Sequence, residues 1–146
     1  MKKFKKQVII PIAVYEKELL IFYNYSDEEV KRYIKNKNYI NDDTLESWNA
    51  IFDGNNERNK GTYMGNGKNH IITISEEYDE KSLINTFAHE IMHFVYGVTQ
   101  HLGLRLTNES EEAFTYLMGY TMGEAYSKII EPIMLHQALN PKIETV

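Results

Sequence analysis

The chain has 146 residues, of which 42% are hydrophobic, and carries a formal net charge of -5 without any cysteine. That length favours one domain with a real core, so residues 1–146 are expected to form a single domain. The negative charge argues against nucleic-acid binding. The lack of cysteine excludes disulfides, thiolate metal ligands and cysteine nucleophiles. No apolar run approaches the ~20 residues of a membrane span, and no segment has the form of a leader peptide. We therefore expect a cytoplasmic protein without membrane contact.

The first half of the chain, about residues 1–75, carries the strand signals. Val8–Val14 and Leu19–Tyr25 are β-branched and aromatic runs joined by a short polar turn, which predicts a strand pair. Ser26 and Glu29 have the spacing of a capping box and predict a short helix after that pair. Shorter strand signals follow within and after a stretch rich in Asn, Asp and Gly, at Trp48–Phe52, Thr62–Met64 and His70–Ser75.

The second half, about residues 79–139, has helical periodicity. The first helix is predicted from about Glu80 to Val98, with Asp79 or Ser75 leading into it and Gly103 marking the break after it.

A second helix is predicted to open at a capping box formed by Asn108 and Glu111, with Thr107 as the rival cap. It should end or kink at Pro132, and Ile133–Leu139 should form a last helical segment. Strands followed by helices indicate an α+β fold, in which a small antiparallel or mixed N-terminal sheet packs on these helices.

The stretch "LINTFAHEIMHFVYG" places an H-E-x-x-H motif inside the long predicted helix. His89 and His93 lie one turn apart on one helix face, so both imidazoles can bind one zinc ion at roughly 2.0–2.1 Å. Glu90 projects beside them without being a ligand. Zinc lowers the pKa of a bound water to near 7, and Glu90 can take its proton and deliver it to the leaving amine. We therefore predict Zn²⁺ as cofactor and Glu90 as catalytic base.

The alternative interpretation is a chance arrangement of polar residues on a structural helix. Apolar residues such as Phe87 and Phe94 flank the motif and indicate that most of the helix is buried. Two histidines and a glutamate on a mostly buried helix would lack hydrogen-bond partners. A bound metal ion would satisfy them, so this arrangement favours a metal site.

A catalytic zinc site takes three protein ligands. Tyr96 and Thr99 occupy the positions where an extended H-E-x-x-H-x-x-G-x-x-H motif needs Gly and His, and His101 falls two residues late. The next predicted helix offers glutamates instead. Glu112 is preferred as the third ligand because it lies further inside that helix, where a buried carboxylate needs a strong partner. Glu109 is the alternative, although it can instead face solvent at the helix N-terminus, where an acidic residue is favourable without a metal.

A common helix face would carry these glutamates together with two tyrosines. That face contains residues 109, 112, 113, 116, 117 and 120, and it is core-like, so Glu109 and Glu112 are expected to point inward. Tyr116 or Tyr120 could then stabilise an oxyanion or contact substrate, the other interpretation being that both are plain core residues.

The segment "TFAHEIMHFVYGV" followed by "ESEEAFTYLMGY" resembles the gluzincin branch of zinc metallopeptidases. More narrowly, it looks like a group of small phage-encoded zincin-like proteins that pair the motif with a downstream acidic-Ala-aromatic-Leu-Gly-Tyr helix. The resemblance spans about Leu83 to Tyr120. It implies a zinc ion held by His89, His93 and Glu112, with Glu90 as the catalytic base.

The leading prediction is zinc-dependent hydrolysis of a peptide or amide bond in a peptide or protein substrate. In zincins the strand before the active-site helix often pairs with an extended substrate, and His70–Ser75 stands in that place. The alternatives are a zinc-stapled, non-catalytic interaction protein and a metal-free α+β binding module. The patterns leave the substrate preference and the oligomeric state open.

Overall fold

The computed structural model describes residues 3–37, 39, 46–47, 60–65 and 69–141. Strand β1 (Lys6–Ile12) and strand β2 (Lys17–Tyr23) pair antiparallel around a single 3₁₀ turn at Ala13–Tyr15. The predicted strand pair is therefore confirmed as a hairpin. The strand predicted near Trp48–Phe52 lies outside the described residues.

The described residues form a sheet of four strands in the order β1-β2-β4-β3. Strand β3 (Gly61–Gly65) and strand β4 (Asn69–Ile74) pair antiparallel, whereas β2 and β4 pair parallel. The sheet is thus mixed, β4 lies inside it, and β1 and β3 are the edges of the sheet that the described residues form.

Helix α1 (Asp27–Asn36) begins at the predicted capping box. The Glu29 N–H donates to Ser26 Oγ at 3.3 Å, and the Ser26 N–H donates to the Glu29 carboxylate at 2.9 Å. Two orphan N–H groups of the first turn are satisfied in this way. The helix covers one face of the sheet, where Val30 and Ile34 belong to a cluster of buried side chains with Leu20, Phe22, Met64 and Ile71.

Helix α2 (Glu80–His101) is the long helix that carries the histidine pair. It begins at Asp79, whose carboxylate accepts from the Ser82 N–H at 2.8 Å, so one of the two predicted leading residues is confirmed. The helix runs three residues past the predicted end at Val98. Gly103 then adopts a positive φ of 72°, a conformation that glycine takes without steric cost.

Helix α3 (Glu111–Ala125) starts later than predicted. Its N-cap is Ser110, which makes no capping hydrogen bond, so the predicted caps at Asn108 and Thr107 are wrong. The reason is a turn that uses the same polar groups. The Thr107 N–H donates to Ser110 Oγ at 2.9 Å, and this hydroxyl donates to the Arg105 carbonyl.

The predicted change of helix geometry at Pro132 is confirmed. The α-helix gives way to a π-helical segment, Tyr126–Ile130, before helix α4 (Glu131–Leu139). The Glu131 N–H donates to the Tyr126 carbonyl, and Pro132, which has no N–H, lies in the first turn of α4. The predicted last segment, Ile133–Leu139, lies within α4.

The sheet is buried on both faces, which explains the continuous apolar run Leu19–Tyr23 of β2 and the three buried isoleucines of β4. The face opposite α1 packs on α2, α3, the π-helical segment and α4. Six side chains that α2 contributes to this core are fully buried: Leu83, Phe87, Ile91, Phe94, Val95 and Val98. The fold is therefore the expected α+β architecture: α1 lies on one side of the mixed sheet, and the described helices α2, α3 and α4 lie on the other. Within the described ranges, no helix combines the length and apolar character that crossing a membrane requires.

Candidate metal and catalytic site

The two histidines of the motif converge on the exposed face of α2. His89 Nε2 and His93 Nε2 lie 3.1 Å apart, and both rings are accessible to solvent. Two ligands at tetrahedral positions around a zinc ion, each bound at 2.0–2.1 Å, lie about 3.3 Å apart. The spacing and the exposure of the two nitrogens therefore fit a shared zinc ion.

Glu90 lies beside this pair but turns toward the sheet. Its side chain is only 6% exposed, and its carboxylate accepts a hydrogen bond from the Tyr63 N–H of β3. A Cβ atom at Gly61 would lie 2.6 Å from Glu90 Cγ, so glycine permits the close approach of strand and helix. Burial raises the pKa of the Glu90 carboxyl, while the neighbouring imidazoles and the Tyr63 N–H oppose the shift. A carboxyl with a raised pKa suits general-base chemistry near neutral pH.

These groups line a cavity of about 550 Å³ between β3 and α2. One wall is the start of the edge strand, residues 60–63. The other is a face of α2 with Asn85, Thr86, His89, Glu90 and His93. The motif thus faces an opening that a small ligand or an extended chain can enter.

Tyr63 and His70 belong to this region, although the sequence patterns did not single them out as site residues. The Tyr63 ring stacks on the His93 ring with centroids 6.4 Å apart and an interplanar angle of 12°. Its hydroxyl lies 2.8 Å from Nδ1 of His70, which is completely buried. Burial raises the pKa of Tyr63 to about 12, so the hydroxyl keeps its proton at neutral pH. The sequence signal for Tyr63 is its position between two glycines in "GTYMG", because glycines next to a large side chain indicate close packing.

The glutamates predicted as third ligand lie at the surface. Glu112 is exposed in the first turn of α3, and Glu109 is exposed in the turn before the helix. The expectation that both point inward is wrong, because α3 begins at Glu111 and buries a different face. The buried residues of α3 are Phe114, Leu117, Thr121 and Ala125.

In the part of the chain that the structure describes, no three His, Asp or Glu side chains are grouped so as to hold a metal ion. His89, Glu90 and His93 line one cavity, and Glu112 is not among its lining residues. The assignment of Glu112, or alternatively Glu109, as third ligand stays a prediction.

Tyr116 and Tyr120 lie on another surface of the molecule. Tyr116 is 75% exposed and Tyr120 is 39% exposed, so the core interpretation of these residues is wrong. Both line a separate cavity of about 190 Å³ with the 3₁₀ turn after β1, and the Tyr120 hydroxyl donates to the Pro11 carbonyl at 3.0 Å. Neither tyrosine lines the cavity that contains His89 and His93.

The strand next to the cavity is also different from the expected one. His70–Ser75 corresponds to β4, which is paired on both sides and has no edge to offer a substrate. The edge strand that lines the cavity is β3.

Comparison of the chain with protein-family models, with curated proteins and with solved structures gives no match.

Proposed function

We propose that this protein is a zinc-dependent hydrolase of peptide or amide bonds, similar to the gluzincin metallopeptidases. One observation carries the proposal: His89 Nε2 and His93 Nε2 lie 3.1 Å apart on a cavity wall, with the buried carboxyl of Glu90 next to them. The spacing suits a shared zinc ion, and a carboxyl of this kind is what proton transfer in hydrolysis requires.

His89 and His93 would hold the zinc ion, with Glu112 proposed as the third ligand and Glu109 as its alternative. Because the Glu112 side chain is exposed, it can change rotamer without breaking a buried contact. Zinc, when bound, supplies Lewis acidity, which polarises a substrate carbonyl and lowers the pKa of water to about 7.

Glu90 performs the proton transfers in this proposal. Its carboxylate accepts the proton of the attacking water and then delivers it to the leaving amine. The Tyr63 N–H holds the carboxylate in place, and burial raises the pKa of Glu90, which favours uptake of the proton from water.

The substrate is proposed to pair as an extended chain with the edge strand β3. The Ser75 N–H donates to the Lys60 carbonyl at 2.9 Å, which fixes the alternation of the β3–β4 ladder. The main-chain groups of Gly61 and the carbonyl of Tyr63 then face away from β4, toward the edge, whereas the Tyr63 N–H donates to Glu90. Main-chain pairing of this kind is a common way to bind peptides and leaves side-chain preference to the walls of the cleft.

A zinc-stapled interaction protein is the second candidate. It is favoured by the apolar cavity beside Tyr116 and Tyr120, because exposed tyrosines are enriched at protein interfaces. In that case the zinc ion would stabilise the fold, and the protein would not hydrolyse peptides.

The test is hydrolysis of a mixed library of fluorogenic peptides by the full chain. We expect cleavage in the presence of zinc, loss of cleavage on adding a chelator, and recovery when excess zinc is restored. A protein that binds zinc but cleaves no peptide under any of these conditions would contradict the hydrolase proposal and favour the staple.

A further inference from the structure

We propose that Tyr63 is the positioning residue of this site, in an inference that rests on the proposed function. The Tyr63 hydroxyl is hydrogen-bonded in the core, and the Tyr63 ring stacks on the ring of His93, a proposed zinc ligand. The Tyr63 N–H donates to Glu90. Tyr63 would therefore fix the positions of the His93 imidazole and the Glu90 carboxylate relative to β3, the strand proposed to bind substrate.

The hydroxyl end of Tyr63 is attached to the interior of the sheet. It forms a 2.8 Å hydrogen bond with Nδ1 of His70 on β4. The His70 ring is completely buried and packs edge-on against Phe94 of α2, with centroids 5.1 Å apart. Because β4 and α2 are both core elements, this bond fixes the edge strand to the rigid part of the domain.

Two glycines make room for the hydroxyl. A Cβ atom at Gly97 of α2 would lie 2.1 Å from the Tyr63 hydroxyl oxygen, and one at Gly65 of β3 would lie 2.2 Å from it. Glycine inside a helix is destabilising relative to alanine, so Gly97 needs a local reason. By contrast, Cβ atoms at Gly119 and Gly123 of α3 would meet nothing within 4 Å. The lack of a side chain at Gly97 therefore leaves the space that the Tyr63 hydroxyl occupies.

The other contacts of Tyr63 reach the reacting groups. Its ring lies nearly parallel to the His93 ring, at 12° and 6.4 Å between centroids. Its N–H donates to the Glu90 carboxylate. Groups that orient metal-binding imidazoles from outside the ligand set typically change metal affinity 10–100-fold when they are lost. The same range is expected here.

The direct test is Tyr63→Phe, which keeps the ring and the N–H but removes the hydroxyl. We expect zinc affinity to fall about tenfold or more. We also expect the β3 amides of the metal-free protein to exchange hydrogen faster, because the strand loses its anchor. Tyr96→Phe is the matched control, because Tyr96 is a half-exposed tyrosine on α2 whose ring packs on Phe114. It should leave both quantities unchanged.

A second pair of variants keeps the test decisive if Tyr63→Phe folds poorly. Gly97→Ala places a methyl group where the Tyr63 hydroxyl lies. It should therefore displace Tyr63, lower the melting temperature and weaken zinc binding. Gly119→Ala enters open space on α3 and should raise the melting temperature.

The outcomes separate the inference from the proposed function. Wild-type protein that binds zinc, together with folded Tyr63→Phe or Gly97→Ala protein that binds it equally well, would overturn the positioning role and leave the hydrolase proposal standing. Faster amide exchange without any loss of zinc affinity would also overturn it, because Tyr63 would then be only structural. A wild-type protein that takes up no zinc would end the proposed function and the positioning role together.

Discussion

Glu90→Gln is expected to abolish peptide hydrolysis while zinc binding is retained. The amide has nearly the shape of the carboxyl and can still accept the Tyr63 N–H bond, but it cannot take a proton from water. General acid–base catalysis contributes about 10²–10⁴-fold, so the rate should fall by at least that range. The measurement is kcat/KM on the best peptide of the library, alongside zinc content.

Stability gives this prediction an internal control. Burial raises the pKa of Glu90, which means that the charged carboxylate is costly where it lies. The melting temperature of the metal-free Glu90→Gln protein should therefore not fall below that of the wild type. Glu80→Gln, in the exposed first turn of the same helix, should keep full activity. A Glu90→Gln protein with a rate within a few-fold of the wild type would remove Glu90 from the chemistry.

Phe94→Ala should cost about 3–5 kcal/mol in the free energy of unfolding. Phe94 is completely buried, directly follows His93, and contacts the His70 ring, so truncation leaves a cavity between α2 and the sheet. Domains of this size are stable by only about 5–15 kcal/mol, which makes the loss a large share of the total. Urea unfolding followed by circular dichroism measures it.

Tyr116→Ala is the matched comparison for that truncation. It also removes an aromatic side chain from a helix, but one that is 75% exposed. Surface substitutions usually change stability by no more than about 0.5 kcal/mol. Peptide hydrolysis should also be unchanged, because Tyr116 lines the other cavity. Equal losses of stability at Phe94 and Tyr116 would contradict the core described above.

The sequence patterns were sufficient for elements whose signals are local. Ser26 and Glu29 form their capping box with groups three residues apart, and the strand pair is read from two apolar runs around a turn. The expectation that most of the motif helix is buried was wrong for the two histidines: His89 and His93 are exposed, because the buried residues of α2 lie on another face.

The orientation of α3 could not be read in this way, because its sequence is apolar on almost every side. Tyr116, Leu117, Met118 and Tyr120 offer several candidate core faces, and only packing against α2 selects the one that contains Leu117. A shift of the helix start from the predicted cap to Glu111 then removed Glu109 from the helix altogether.

The sheet order and the Tyr63–His70 contact depend on long-range pairing. Two signals were nevertheless present: the three isoleucines of β4 are typical of a strand buried on both faces, and the glycines at both ends of β3 are typical of a close approach by neighbouring groups. Which strand lies beside α2 is decided by the packing of the whole domain, so Tyr63 was missed.

Calorimetric titration of the metal-free full chain with zinc at neutral pH tests the central claim most directly. We expect one zinc ion per chain, with binding lost in His93→Ala and kept in His101→Ala, an exposed histidine at the end of the same helix. No zinc uptake by the wild type, or uptake that His93→Ala leaves unchanged, would contradict the claim that His89 and His93 form a metal site.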